Sequence, residues 1–100
     1  MNPIEQNIEA IKTLCARYKV SKLFAFGSVL TEKFNSESDI DLLVDFDNVG
    51  VDNYADNYYD FKFSLQDTFR RKVDLLEDKA IRNPYMRQSI DLSKKLIYGK

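Results

Sequence analysis

Two aspartates one residue apart stand at the start of a run of strand-forming residues at positions 40–46. Asp39 and Asp41 would project from one face of a strand, because side chains two residues apart share a face. A third aspartate, Asp74, alternates with apolar residues in a later strand-like run. If the two strands are parallel neighbours, the three carboxylates converge at one end of the sheet. They would then repel one another, which favours a bound divalent cation as compensation.

Ten residues separate a Gly-Ser pair from the first of these aspartates. Gly27 would let a phosphate approach the backbone closely, and the Ser28 hydroxyl with neighbouring N–H groups could hold phosphate oxygens. An antiparallel return of the chain would bring this pair beside Asp39. The combination predicts a phosphate site next to an acidic metal site, which suits the transfer of a nucleotidyl or phosphoryl group with one or two metal ions. The structural alternative is an ordinary turn followed by aspartates that cap a loop.

The residue types restrict the chemistry further. The chain has no histidine and one cysteine, Cys15, which excludes histidine-based acid–base catalysis, histidine- or thiolate-ligated zinc and an internal disulfide. Oxygen-ligated Mg²⁺, Mn²⁺ or Ca²⁺ remains. Cys15 lies among apolar residues at helical spacing, which indicates a buried thiol. There is no apolar run of membrane-spanning length and no secretory signal pattern, so we expect a cytoplasmic protein without membrane contact.

The length and composition indicate one globular domain over residues 1–100, with little room for a second, substrate-binding domain. The net charge of −1 hides an asymmetry. Residues 1–60 carry 5 Lys or Arg and 11 Asp or Glu, whereas residues 61–100 carry 10 and 5. An acidic metal-binding pole beside a basic phosphate-attracting pole is one interpretation. Solvated helix faces are the other, and the charge counts alone favour it.

Apolar spacing predicts the elements that must position these side chains. A helix of about sixteen residues joins the second and third strands, which suits a parallel pair with a right-handed crossover. The first two strands are closer in sequence and could be antiparallel. We therefore expect an α/β fold with a small mixed three-stranded sheet flanked by about four helices. The predicted strands are 22–26, 39–46 and 72–77, and the predicted helical segments are 4–18, 29–33, 54–70 and 84 to about 98.

The Gly-Ser pair, ten residues and then Asp-Ile-Asp resemble the GSx₁₀DxD signature of the polymerase-β-like nucleotidyltransferase superfamily. The short chain and its runs SDIDLLV and RKVDLLE, at 38–44 and 71–77, resemble the minimal nucleotidyltransferase branch. The resemblance implies the mixed-sheet fold, Mg²⁺ and ATP or another nucleoside triphosphate. It also implies roles for five residues. Asp39, Asp41 and Asp74 would be catalytic metal ligands, and Gly27 and Ser28 would hold the triphosphate.

Minimal proteins of this kind are commonly MntA-type antitoxins, paired with an all-helical HEPN ribonuclease as toxin. Some of them transfer AMP from ATP to a tyrosine of that toxin. The resemblance therefore implies a protein partner. Transfer to a small molecule and nucleic-acid polymerisation are disfavoured, because no acceptor domain remains in 100 residues. The competing hypothesis is a catalytically weak antitoxin that neutralises its partner by binding alone. Met86, Ile97 and Tyr98 could offer apolar surface for that contact, although core packing explains them equally well.

This chain departs from the family pattern just after the Gly-Ser pair. Many relatives carry two arginines there, whereas this sequence has Val29 and Thr31, and Lys33 is the cation of that loop. Either the affinity for the triphosphate is weaker, or the basic groups that bind it come from the segment 70–95 instead. Its candidate phosphate contacts are Arg70, Arg71, Lys72, Arg82 and Arg87, although the favoured interpretation of each is an exposed charge at a helix or strand end.

Overall fold

The computed structural model describes residues 2–99, which form a mixed four-stranded sheet packed against helices. The strand order across the sheet is β3-β2-β1-β4. Within the described residues, no helix combines the length and the apolar character needed to cross a membrane. In chain order the elements are α1 (Pro3–Gln6), α2 (Ile8–Arg17), β1 (Val20–Phe26), β2 (Ile40–Phe46), α3 (Val51–Phe69), β3 (Val73–Glu77), α4 (Pro84–Ser93) and β4 (Lys95–Tyr98).

The pairing of the first three strands agrees with the sequence prediction. β1 and β2 are antiparallel, and β2 and β3 are parallel. A parallel pair needs a crossover connection, which α3 provides. The ends of β2 and β3 that carry the three aspartates therefore lie at the same edge of the sheet.

The inner face of the sheet, which bears Leu42 and Val44 of β2, packs against α2 and α3. From α3 come Phe61, Leu65 and Phe69, spaced four residues apart and all buried. Complete burial of one such side chain stabilises a fold by roughly 1.5–3 kcal/mol. Apolar packing on this face therefore fixes α3, and with it the start of β3.

The outer face of the sheet, which bears Asp41 and Leu43 of β2, is covered in part by α4. Leu43 points away from the inner face, yet it is fully buried. Ile90 is the buried residue of α4, and the Lys94 ammonium lies 4.5 Å from the centre of the Phe24 ring of β1. The Lys94 contact places the C-terminal end of α4 against the outer face of the sheet at β1.

The prediction of three strands and of a last helix that reaches Tyr98 is wrong. The helix ends at Ser93, and Lys94 turns into an extended conformation with φ −63° and ψ 146°. The next residues form β4, which pairs antiparallel with β1 and sets Leu96 opposite Phe24. This pairing gives hydrogen-bond partners to the backbone N–H and C=O groups on the side of β1 that is turned away from β2.

The other predicted helices form with shifted ends. The expected helix over 4–18 is interrupted at Asn7, whose side-chain amide donates a 2.8 Å hydrogen bond to the carbonyl of Pro3. Asparagine favours such local backbone contacts at helix ends. The long helix begins at Val51, three residues earlier than predicted. The expected turn at 29–33 forms slightly earlier, as a 3₁₀ turn over Gly27–Leu30.

Candidate active site

Two of the three predicted carboxylates lie directly opposite each other. Asp41 of β2 pairs in register with Asp74 of β3, and neighbouring strands are about 4.8 Å apart. Both residues alternate with buried neighbours, so both side chains project from the outer face. Asp39 immediately precedes β2, two residues from Asp41, and is exposed. The structure thus brings the three aspartates to one edge of the sheet.

The charges of these aspartates act on one another. The pKa of Asp41 is raised above its ordinary value, first by partial burial and then by the charges of Asp74 and Asp39. Lys72 offers Asp39 some compensation, with its Nζ 4.0 Å from a carboxylate oxygen. That ion pair is weak, because the two side chains are 73% and 47% exposed and water screens them. The edge therefore keeps an excess of negative charge.

Gly27 lies against the Asp41 carboxylate. The last residue of β1, Phe26, is paired with Asp41, and the chain leaves the strand at Gly27 with φ +75°. A side chain at this position would collide with Oδ2 of Asp41. Glycine is thus required both by the left-handed backbone and by the close approach. The Gly-Ser turn therefore adjoins the acidic edge, as expected from an antiparallel return of the chain, and its use as a phosphate site stays a prediction.

Val29 and Thr31, which stand where many relatives have arginine, make contacts that stabilise the turn after the Gly-Ser pair. Val29 is 3% exposed and belongs to the inner-face core. The Thr31 hydroxyl donates a 2.9 Å hydrogen bond to the Ser28 carbonyl and accepts one from the Lys33 N–H. The backbone N–H of Thr31 also donates to the Ser28 carbonyl. Both residues thus hold the conformation of the segment that contains Ser28.

The basic candidates for phosphate contact divide by position. Arg87 is committed to Asp78, with a 2.6 Å bond from Nη1, and Asp78 follows the far end of β3. Arg71 donates to two backbone carbonyls of the loop before β2. Lys72 lies beside Asp39 at the acidic edge. The geometry favours Lys72 over Arg87 as a contact for a ligand at this edge, and the roles of the exposed Arg70 and Arg82 stay predictions.

Tyr58 adjoins the site and was missed in the sequence. Its hydroxyl donates a hydrogen bond to the carbonyl of Leu75, on the outer edge of β3. The pKa of Tyr58 is raised, first by burial, then by Tyr59 and by the charge of Asp74. In the sequence, Tyr58 is one residue of the predicted helix over 54–70 and carries no sign of a further role. Its neighbour on β3 lies 17 residues further along the chain, so local sequence carries no signal for it.

The donor set at this edge fits a hard divalent cation incompletely. Its side chains are carboxylates, which such ions prefer, and their mutual repulsion would be relieved by a cation. However, among residues 2–99 no group of three or more His, Cys, Asp or Glu side chains is arranged to hold a metal ion. Mg²⁺ commonly takes a few carboxylates together with water and substrate phosphates. A site that is completed by the nucleotide is therefore compatible with this geometry.

The three apolar residues considered for partner contact differ in exposure. Met86 of α4 is 42% exposed. Ile97 and Tyr98 of β4 are partly buried and pack against the core. Core packing therefore accounts for Ile97 and Tyr98, whereas Met86 remains on the surface.

Sequence comparison identifies the class of protein to which this fold and site belong. A family model described as "Polymerase beta, Nucleotidyltransferase" matches residues 9–100. The curated relative "Putative protein adenylyltransferase MJ1379" of Methanocaldococcus jannaschii is 37% identical over 87 residues, which are 87% of this chain and 84% of that protein. The chain therefore belongs to the polymerase beta nucleotidyltransferase family, and the resemblance seen in its GSx₁₀DxD pattern is confirmed.

Comparison with solved structures supports the same fold. A structure of a "putative minimal nucleotidyltransferase" superimposes with a TM-score of 0.77 at 25% identity, covering 95% of each chain. Another is described as tri-AMPylated Shewanella oneidensis HEPN toxin in complex with MNT antitoxin. Its matching chain has a TM-score of 0.66 at 19% identity, covering 96% of this chain and 72% of that one. The predicted fold class is thus confirmed, apart from the fourth strand.

Proposed function

We propose that this protein transfers AMP from ATP to a hydroxyl group of a partner protein, in a reaction that requires Mg²⁺. The observation that carries the proposal is the arrangement of Asp41 directly opposite Asp74 and against Gly27. Carboxylates beside a backbone turn that admits close approach suit a triphosphate bridged by a metal. The curated relative's name, a protein adenylyltransferase, supports AMP as the transferred group and protein as the acceptor.

The residues at the acidic edge would have different roles in this reaction. Asp39, Asp41 and Asp74 would hold one or two Mg²⁺ ions, and Gly27 and Ser28 would bind oxygens of the triphosphate. When bound, Mg²⁺ would neutralise the negative charge that develops on the reacting phosphate. The acceptor oxygen forms a bond to the α-phosphorus while the bond from that phosphorus to the β-bridging oxygen breaks, and pyrophosphate leaves. Asp74, the exposed member of the pair, acts as a ligand or as the base that takes the hydroxyl proton.

The proposed partner is the toxin of a toxin–antitoxin pair, of the HEPN type. The support is the fold shared with the structure described as a HEPN toxin in complex with MNT antitoxin, in which the toxin is tri-AMPylated. In such a pair this chain is the antitoxin. A cytoplasmic location would follow from a ribonuclease partner.

A labelling experiment tests the proposal. The purified protein is incubated with Mg²⁺, the protein encoded by the neighbouring gene and ATP labelled at the α- or the γ-phosphate. We expect label on the partner protein from α-labelled ATP, none from γ-labelled ATP, and none with Asp41→Asn. Acid treatment and mass spectrometry should assign the label to a hydroxyl side chain as an added AMP.

The second candidate function is neutralisation by binding alone. It is favoured by the absence of a closed three-carboxylate metal cluster among residues 2–99 and by Val29 and Thr31 in place of arginines. The same experiment separates the two. If the partner's ribonuclease activity is inhibited without any transfer of label, and equally by Asp41→Asn, transfer is excluded as the mechanism.

A further inference from the structure

We infer that Arg71 is a positioning residue that holds Asp39 at the edge of the sheet. The inference rests on the proposed function, and it concerns a residue outside the Gly-Ser and aspartate pattern. Arg71 lies just before β3, three residues from Asp74. Its side chain reaches the loop before β2, which ends at Asp39. One residue thus connects the backbone segments that present two of the three carboxylates.

The guanidinium of Arg71 closes the turn that leads into Asp39. Its Nη1 donates to the carbonyl oxygens of Asn35 and Ser38, each at 2.9 Å. The same turn is closed by the Ser38 N–H on the Asn35 carbonyl, at 3.1 Å. The Ser38 carbonyl belongs to the peptide unit that joins Ser38 to Asp39. Arg71 therefore orients the peptide plane from which the Asp39 side chain departs.

The side chain of Arg71 is itself held in place. Its Cζ lies 4.5 Å from the centre of the Phe34 ring, so that the cation lies over the aromatic face. Arginine suits this position because a flat guanidinium can stack and donate in the same plane, whereas a lysine ammonium cannot. Ring and turn together clamp residues 34–38 against the start of β3.

Asp39 needs this clamp because little else fixes it. It lies just outside β2, and the pairing with β3 begins one residue later, at the 3.1 Å hydrogen bond from the Ile40 N–H to the Lys72 carbonyl. The Lys72 side chain approaches Asp39 only to 4.0 Å, and both side chains are largely exposed. By contrast, Asp41 is fixed within the strand ladder and against Gly27. The clamp on the preceding turn therefore decides where the Asp39 carboxylate stands.

The test compares Arg71→Met with a matched variant, Arg87→Met. Both remove an arginine that donates to a backbone carbonyl, but Arg87 binds Asp78 beyond the far end of β3. Calorimetry measures the Kd of Mg²⁺-ATP for each folded protein, and hydrogen exchange measures protection of the Ser38 and Asp39 amides. Substitution of a residue that orients a metal ligand typically lowers the metal affinity by about 10–100-fold. We expect a loss of about tenfold or more, with faster exchange at both amides, in Arg71→Met and neither effect in Arg87→Met.

Arg71→Lys provides a milder variant that keeps the charge. Its ammonium can donate to the same carbonyls but cannot stack on Phe34, so we expect an intermediate Kd. Wild-type affinity in both Arg71 variants, or an equal loss in Arg87→Met, would overturn the positioning role while the proposed function stands. A wild-type protein that binds no Mg²⁺-ATP would overturn the proposed function, and the inference with it.

Discussion

At the scale of single residues, Asp41 is constrained from two sides. Asp74 faces it across the strand pair, and Gly27 lies against its carboxylate. Partial burial and then the charge of Asp74 raise the pKa of Asp41, and a Cβ added at Gly27 would collide with the Asp41 carboxylate. A fold selected only for stability would not place two carboxylates in register, because like charges opposite each other destabilise a sheet. The arrangement therefore indicates a ligand that compensates the charge.

Gly27→Ala should damage both the fold and the site. An L-residue in the left-handed region costs roughly 1–2 kcal/mol, and the new methyl group would displace the Asp41 carboxylate. Urea unfolding should show this loss, and calorimetry should show weakened Mg²⁺-ATP binding. Gly50→Ser is the control, since Gly50 has φ −58°, an added Cβ would lie 4.0 Å from its nearest neighbour, on Asn53, and serine is favoured at this N-cap of α3. Equal unfolding curves for wild type and Gly27→Ala would contradict the close approach.

Glu77, at the far end of β3, should make stability depend on pH. Burial is the largest cause that raises its folded-state pKa. The charge of Lys79 lowers this pKa, and the charge of Asp45 raises it. The native protein therefore binds this proton more tightly than the unfolded chain, and stability is lost as pH rises from the ordinary glutamate pKa through the raised value. Glu77→Gln lacks this loss. Its free energy of unfolding, relative to wild type, should increase across that pH window.

The control for this pH dependence is Glu32→Gln, because Glu32 is exposed. Denaturant unfolding from about pH 4 to 8, the range around and above a normal glutamate pKa, gives the comparison. If the difference between Glu77→Gln and wild type changes with pH no more than that of the Glu32 variant, burial of Glu77 has no effect on its proton affinity.

The sequence alone was sufficient to predict that the three aspartates lie near one another. It was not sufficient to predict the contacts of Arg71 and Tyr58 beside them. Asp39 and Asp41 share a face by the period of a strand, and a parallel neighbour brings Asp74 to the same edge. The contacts of Arg71 and Tyr58 join residues that are 33 and 17 positions apart. No local periodicity encodes such contacts, because they depend on how the loop and the helix settle on the completed sheet.

At the scale of elements, the last segment shows how tertiary pairing overrides local pattern. Apolar residues after Pro84 recur at helical spacing, and no glycine or proline interrupts them before Gly99. A helix to Tyr98 is therefore the expected local structure. The edge of β1 offers unpaired backbone groups, however, and the segment Lys95–Tyr98 satisfies them as β4. Only the position of β1 at the edge of the predicted sheet could have indicated this.

Removal of one hydroxyl group, that of Tyr58, measures how much the contact between α3 and β3 contributes to stability. Tyr58 donates to the Leu75 carbonyl at the outer edge of β3. Tyr58→Phe keeps the ring but leaves that carbonyl without this donor, which should destabilise the fold by about 0.5–1.5 kcal/mol. Tyr59→Phe is the matched control. Tyr59 is 51% exposed, so its hydroxyl can hydrogen-bond to water and its removal should cost little stability. Equal unfolding midpoints for the two variants would show that the hydrogen bond does not hold α3 to the sheet edge.

At the scale of the whole molecule, the fold brings the acidic and basic parts of the chain into contact. β2 comes from the acidic first 60 residues and β3 from the basic remainder, and their pairing sets Lys72 beside Asp39. The acidic and basic parts of the chain thus meet at the candidate site in one ion pair, whereas the charge counts alone favoured solvated helix faces. The use of these two parts for metal and phosphate stays a prediction, as do the single-domain boundary and the cytoplasmic location. The antitoxin role came from family resemblance and could not come from residue patterns, since a partner leaves no periodic signal.

The behaviour of the whole protein toward Mg²⁺-ATP tests whether the acidic edge is a binding site. A ligand that binds only the native state raises stability by RT ln(1 + [L]/Kd), about 2.7 kcal/mol at one hundred times Kd. In a domain of this size each kcal/mol raises Tm by roughly 4–8 °C. Wild type should therefore gain stability with Mg²⁺-ATP and lose the gain with excess chelator, because ATP alone would be repelled by the carboxylates.

Asp41→Asn makes the same experiment decisive. The substitution keeps the shape that fits against Gly27 and removes a charge whose ionisation is disfavoured by burial, Asp74 and Asp39. Without metal, the variant should melt at the wild-type temperature or above it. With Mg²⁺-ATP, it should gain little, because one of the proposed ligands is lost. Thermal melts of both proteins, each with Mg²⁺-ATP, with ATP plus chelator and with neither, provide the measurement. If Asp41→Asn melts clearly below wild type without metal, and wild type does not respond to Mg²⁺-ATP, then Asp41 supports the turn at Gly27 and the edge is not a nucleotide site.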